Sequence, residues 1–589
     1  MANAELIRRM LWLADVLWGE KSRLENEMAG IVEMTQNIVA ENAQIALDQD
    51  ECPKGYNSLV QRYDAAKARY DEMVYTIAAK DGKKFLRGVI DEDVSGFSKQ
   101  IRMDTMKDFV SEIKKINTDG LIYKFSEISI DMFKKVQCMR NVEVPVVRYG
   151  KHQKMLVQLS AWDIPNIAFL SVKESNDYRH ADKVSSVGQL VDLYREYDNE
   201  HSAAESIKNV SDGVFRVVLG MTAEQFQYQN LWWIFEKFNR DYYILLAAKN
   251  FEHRREIDTN AAAKEAFGCS ADDYIAILLM IFWLCSQHPD PLSAPESLYC
   301  RKENTILTTE NITKFIRYYS CDYKELREHP LGKQLLYSKP FIKTQRHGEY
   351  LAVSMYLVAM MVGNGLYWLV RDYYFKQGTQ KFVNAFGLLF EDYIKDLALN
   401  YCETSEYEVL SAGSKKGADF LFDFGMLQLL VESKSSLLKL DAKQQVPNIE
   451  STNTFFNRTI SEAYTQLNSS YEELRGKIGV PVIKIILLYD EFSNTAIIEL
   501  SEREIFEKDN LCFVMTIREL EILLYLHRND KTKEEQILNR LLVSTNPDGL
   551  RKRQNIGAIY NELSIHENQH LDGKMDYFSR MMEHFGNNL

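Results

Sequence analysis

Apolar residues recur three and four apart from Glu5 to about Ser111, as at Leu59, Tyr63, Ala66, Tyr70, Met73 and Ile77, and this spacing predicts helices with one buried face. The period then changes. "VEVPVVRYGKHQKMLVQLS" (Val142–Ser160) reads as two strands around a turn near Gly150-Lys151, with Pro145 favouring an edge. Helical spacing resumes in "TAEQFQYQNLWWIFEKFNRDYYILLAAK", for which Thr222 is the expected N-cap with Gln225 three residues on. "SADDYIAILLMIFWL" repeats that logic with Ser270 and Asp273. Trp232 and Trp233 are expected on a buried aromatic helix face, with base stacking as the alternative. A short hairpin is expected in "KPFIKTQRHGEYLAVS", turning near His347-Gly348, followed by an apolar helix from Met355.

Beyond residue 375 the order changes again. "TQKFVNAFGLLFEDYIKDLALNY" places Phe382, Phe386, Leu389, Tyr393 and Leu397 on one helix face. Strand patterns follow in "KKGADFLFDF" and "MLQLLV", then in "VIKIILLYD", "TAIIEL" and "CFVMTIRELEILLYLH". The expected architecture is α+β and multidomain. Residues 1–374 form a mostly helical region, of one or two subdomains, with a hairpin near 142–160; residues 375–545 form an α/β domain with a mixed central sheet; residues 546–589 form a helical extension.

Two apolar runs invite a membrane reading. Tyr274–Cys285 is too short to span a bilayer, and Leu351–Val370 is interrupted by Gly363-Asn364-Gly365. Buried helices in a soluble, cytoplasmic protein are the expectation. The eight cysteines are scattered without a CxxC pair, which argues against a zinc ribbon and for reduced thiols. The 589-residue chain has 46% hydrophobic and 26% charged residues, as in folded globular proteins. Its net charge of −13 supplies no global basic field to draw it onto nucleic acid, although a local cleft can still be basic.

The candidate chemistry lies in "LLVESKSS". An acid two residues before a lysine is common, and Asp81-Gly-Lys83, Glu112-Ile-Lys114, Asp322-Tyr-Lys324, Asp441-Ala-Lys443 and Asp572-Gly-Lys574 repeat the pattern. Context separates Glu432-Ser433-Lys434 from them. It ends a run apolar enough for a strand buried on both faces, and residues i and i+2 of a strand share a face. Charges there are costly unless paired or bound to a metal. Asp419 opens another candidate strand thirteen residues earlier, a spacing that allows an antiparallel pair with Asp419 near Glu432. A preceding helix carries Glu391. Two converging carboxylates suit Mg²⁺, which keeps waters and shares a substrate phosphate, and a lysine beside them can orient or deprotonate a water. The plainer reading is a solvated strand end beside ordinary helix-surface residues.

At these residues the sequence resembles the PD-(D/E)XK nuclease superfamily, the restriction-endonuclease-like fold. The resemblance covers roughly residues 375–545; Ala418-Asp419 stands where that family often has Pro-Asp. It implies Asp419 and Glu432 as ligands of Mg²⁺ or Mn²⁺, Glu391 as a supporting ligand, Lys434 as the catalytic lysine and Gln466 as the residue orienting the lysine or substrate. Asp392 and Asp423 are alternatives to Glu391. Lys415, Lys416, Lys439 and Lys443 flank the site and could meet phosphates. The expectation is a metal-dependent endonuclease acting on DNA, with residues 1–374 as a sensor, oligomerisation or specificity module. By analogy it belongs with restriction and anti-phage defence proteins, with a homo-oligomer or a defence-system protein as partner. The alternatives are a ribonuclease with the same metal site and a scaffold that keeps a nuclease-like fold. No P-loop or Rossmann glycine pattern is present, which argues against a built-in ATPase.

Overall fold

The computed structural model describes residues 109–148, 151–175, 187–209, 214–298, 306–345, 349–410, 417–444, 447–474, 479–490, 501, 505–506, 509–545, 554–573 and 575–587. The helical run expected before Ser111 lies almost wholly outside them, as do "TAIIEL", Lys415, Lys416 and the turns at Gly150 and His347-Gly348. The chain divides into two compact units, one of residues 1–105 with 198–217 and one of 106–197 with 218–589. The second unit is α+β and carries every candidate site residue.

Its first part is helical with small sheets. Helix α1 (Thr118–Lys134) leads into the antiparallel hairpin β1 (Met139–Arg148) and β2 (Lys151–Ser160), in register Met139–Ser160. With only two strands both are edges, which is where Pro145 is tolerated. Helix α2 (Leu231–Tyr242) exposes Trp232 (66%) and only half-buries Trp233, over which the Arg518 guanidinium stacks at 4.6 Å, so neither tryptophan is fully buried as expected. Thr222 is likewise no N-cap, because it lies inside the helix Val214–Gln229. The capping box at Ser270 and Asp273 does open α3 (Ala271–Gln287). The expected hairpin forms from β4 (Phe341–Lys343) and β5 (Tyr350–Ala352), and β3 (Ser320–Cys321), absent from the sequence reading, adds a parallel third strand.

The apolar run after it is α4 (Met355–Lys376), buried along most of its length. Its glycines do not break it. A Cβ on Gly363 would come within 2.5 Å of Ile234 Cγ2, and one on Gly365 within 2.8 Å of the Tyr274 hydroxyl. They let α2 and α3 approach. Among the described residues no helix is long and apolar enough to cross a membrane; the bent pair Arg254–Phe267 and Ala271–Gln287 passes on length and composition together, and α3 is largely buried.

The change of period at 375 marks a change of architecture inside this unit. Helix α5 (Lys381–Tyr401) buries Phe382, Phe386, Leu389, Tyr393 and Leu397, worth about 1.5–3 kcal/mol each. A five-stranded mixed sheet follows, in the order β10 (Cys512–Thr516), β9 (Val482–Leu488), β8 (Gln428–Lys434), β7 (Phe420–Asp423), β6 (Tyr407–Val409). Strands β6, β7 and β8 are antiparallel neighbours, while β8, β9 and β10 run parallel. Parallel β8 and β9 need a crossover, and it includes helix α6 (Glu462–Leu474). Leu429 and Val431 join α5 in the main core, whereas Lys434 reaches the α6 residue Gln466.

Buried ion pairs bind the sheet region to the helices. Arg240 on α2 makes a two-pronged contact, at 2.6 and 2.8 Å, with Glu521 on α7 (Ile517–Asn529), both fully buried. Burial alone would raise the Glu521 carboxyl; the charge and hydrogen bonds of Arg240 more than reverse it and hold it below the ordinary value. Tyr393 and Asn568 also donate to Glu521. Arg240→Ala strands that acid, so a loss of about 3–5 kcal/mol is expected in urea unfolding.

Candidate active site

The site forms where β7 and β8 leave their ladder. Their hairpin turns at Gly425, whose φ of +78° suits glycine, and Asp423 Oδ1 accepts from the Gly425 amide. From that turn the register runs back to Phe420–Val431, and one step further Asp419 stands opposite Glu432. The Asp419 amide donates to Val431 O at 2.9 Å, so the thirteen-residue spacing produces the expected juxtaposition.

Both carboxylates are buried, Asp419 8% exposed and Glu432 2%. Asp419 Oδ2 accepts from the Ser433 amide at 2.8 Å and the Ser433 hydroxyl at 2.7 Å. Lys434 Nζ donates to Glu432 Oε1 at 2.6 Å and to Gln466 Oε1 at 2.9 Å. Glu432 Oε2 is buried without a hydrogen-bond partner. Desolvation, with the charges of Asp419 and Glu391 against only Lys434 in its favour, pushes the Glu432 carboxyl up to about 8. Asp419 is raised as well, chiefly by burial, with the two Ser433 hydrogen bonds opposing the rise.

Four of the five expected residues are thus joined by register or hydrogen bonds, and Glu391 acts on Glu432 through its charge. Its place is consistent with this, since Gly387, one turn earlier on α5, faces the Ser435 hydroxyl. The alternative carboxylates are engaged elsewhere. Asp392 accepts from the His253 amide and contacts its ring, and Asp423 Oδ2 accepts from the Gln428 side chain at the far end of the hairpin. Of the flanking lysines, Lys439 is exposed, whereas Lys443 is tied to Asp490 at 2.7 Å.

Sequence reasoning missed the residues that set the geometry. Ser433 clamps Asp419, and the signal was a small hydroxyl between the acid and the lysine. Ser470 accepts from the Ala418 amide at 2.8 Å and fixes the entry to β7; it lies four residues after Gln466, on the same face of α6. Lys484 in the interior strand β9 was passed over too. It is buried, ion-paired to Asp509, bonded to Asn468 at 2.6 Å and flanked by the rings of Tyr464 and Tyr471.

Among the described residues no three His, Cys, Asp or Glu side chains converge into a cage for an ion. The donor set nonetheless fits a hard cation of the kind that needs one or two carboxylates and completes its shell with water and phosphate. The orphaned Glu432 Oε2, and two adjacent carboxyls too desolvated to share their charge comfortably, are the features a cation would relieve. No family model, curated protein or solved structure matches this chain.

Proposed function

We propose that this chain is a metal-dependent nuclease that hydrolyses phosphodiester bonds, with DNA as substrate. The observation that carries the reading is the buried Asp419–Glu432 pair, with Glu432 Oε2 unpartnered and Lys434 held between Glu432 and Gln466. The order of elements supports it: a helix bearing Glu391, then antiparallel strands with Asp419 at the entry to β7 and Glu432 and Lys434 at the end of β8, then a helix bearing Gln466. That is the order of the PD-(D/E)XK family resembled in sequence. A place in restriction or anti-phage defence belongs to the same proposal and rests on the large helical region.

Asp419 and Glu432 would hold Mg²⁺ or Mn²⁺, with Glu391 in support. When bound, such an ion lowers the pKa of water and neutralises charge on a phosphate. The remaining work falls to the chain. Ser433 holds Asp419 Oδ2 from two donors, so that carboxylate need not reorganise. Gln466 fixes the ammonium of Lys434, which orients the attacking water and offsets negative charge gathering on the phosphate.

Purified full-length protein should be incubated with labelled DNA and RNA of matched sequence, in Mg²⁺ and in EDTA. Cleavage of DNA in Mg²⁺ alone, lost in Asp419→Asn, is the expected result. Cleavage of RNA only would assign a ribonuclease; cleavage of neither would leave a scaffold, and an active Asp419→Asn protein would place the chemistry elsewhere than this carboxylate.

A further inference from the structure

Beyond the reacting groups, the corner between α4 and α5 has the composition of a strand-binding shelf. Trp368, Arg371 and Phe375 stand at i, i+3 and i+7 on α4 and so share one face. Trp368 is 41% exposed and Phe375 65%, although aromatic side chains of this size are usually covered. The Arg371 guanidinium lies 4.7 Å from the Trp368 ring centre and 6.0 Å from that of Phe375. Exposed Lys376 and Lys381 continue the corner, with Lys381 Nζ 5.4 Å from the Tyr374 ring. Asp372 is the one acid between Gly363 and Phe390, 3.9 Å from Arg371. Along this stretch three cations stand to one acid, a reversal in a chain of net charge −13, with Asp258, whose amide donates to the Tyr374 hydroxyl, as a second acid beside it.

The shelf connects with the candidate site through packed rings. Trp368 meets Tyr367 at 5.5 Å, Tyr367 meets Phe386 at 5.0 Å, and Phe386 meets Tyr489 at 4.9 Å. The Tyr489 amide donates to Lys434 O. On α5, exposed Val383, then Gly387 facing Ser435, then Glu391 follow at four-residue steps along one stripe that runs from the shelf toward the carboxylates.

We infer that this corner binds a single strand of DNA a few nucleotides from the bond to be cut, with unstacked bases on Trp368 and Phe375 and phosphates at Arg371, Lys376 and Lys381. Aromatic faces accept any base, and the cations follow the backbone, so the contact tolerates sequence. A nucleic-acid backbone presents a regular row of phosphates to these cations beside bases that can stack on the rings. The choice of ligand rests on the nuclease reading; the test measures binding and not cleavage.

Full-length Lys434→Ala protein is titrated into short fluorescein-labelled single-stranded DNA in EDTA, read by anisotropy. Trp368→Ala and Phe375→Ala should each weaken binding about tenfold or more. Trp368→Phe should bind nearly as the parent does, and Arg371→Ala should reduce the salt slope by about one. Both rings are exposed, so melting temperatures should match the parent's. Unchanged binding in the Trp368→Ala, Phe375→Ala double variant overturns the shelf. So does a parent that binds no DNA, or one that sediments as an oligomer dissociated by Trp368→Ala. A protein that cuts DNA with the double variant binding normally loses the shelf alone, and one that binds through the shelf without cutting loses the nuclease reading alone.

Discussion

Lys434→Ala is expected to slow metal-dependent cleavage by about 10²–10⁴-fold while the protein stays folded, the range for removing a positioned proton-transfer or charge-stabilising group. Nζ is held from two sides, by Glu432 Oε1 at 2.6 Å and by Gln466 Oε1 at 2.9 Å, which fixes its position at the site. Deleting one partner of a buried ion pair usually unfolds part of a protein because it strands a charge. Here Glu432 already holds its proton up to about pH 8, so the orphaned acid becomes neutral instead. Single-turnover cleavage at saturating Mg²⁺, with circular dichroism melts, separates the two effects. Lys434→Arg keeps the charge but cannot give up a proton. Substantial activity in that variant would assign Lys434 a purely electrostatic role. Wild-type rates in Lys434→Ala would remove it from the chemistry.

The second large effect is the pH dependence built into Glu432. Its carboxyl titrates near the ordinary value of 4.5 when the chain is unfolded and near 8 in the folded, metal-free protein. Between those values the unfolded chain binds fewer protons at this group than the folded one, so the contribution of Glu432 to stability is fully present below about pH 4.5 and is lost as pH rises to 8. Glutamine at this position carries no charge to desolvate. In EDTA the stability of Glu432→Gln relative to wild type should therefore rise between pH 5 and pH 8.5, by an amount on the order of 3–5 kcal/mol. The slope is the readout, since a buried amide shifts both ends alike. Mg²⁺ should reverse the order at high pH by stabilising wild type alone, and calorimetry at pH 7 should record up to about one proton released per ion bound. Parallel pH profiles with and without Mg²⁺ would show that Glu432 does not hold the cation.

Much of this arrangement is legible in the chain because it is local. The apolar run of β8, the thirteen-residue spacing to Asp419 and the two-residue step from Glu432 to Lys434 are consequences of strand period and hairpin register. The stripe of α5 and the capping box of α3 are likewise written in neighbouring residues. What escaped depends on packing between distant segments. Nothing near Gly363 says that Ile234 will rest against it, so a glycine that admits a neighbouring helix reads as an interruption. Trp232 satisfies the pattern of a buried face and is nevertheless exposed, while its neighbour Trp233 is only half-buried, because what covers a helix face is set by distant segments. The third carboxylate turned on the same limit: Glu391, Asp392 and Asp423 are equivalent in sequence, and only the His253 contact and the hairpin turn take two of them away.

The central claim is that Asp419, Glu432 and Lys434 form a cation-dependent hydrolytic site. Single-turnover cleavage of end-labelled DNA by the wild-type chain and by Glu432→Gln, in Mg²⁺ and in EDTA, tests it most directly. Cutting by wild type in Mg²⁺, with none in EDTA and none by the variant, is the predicted result. Equal cutting by both proteins, or cutting that persists in EDTA, would contradict it.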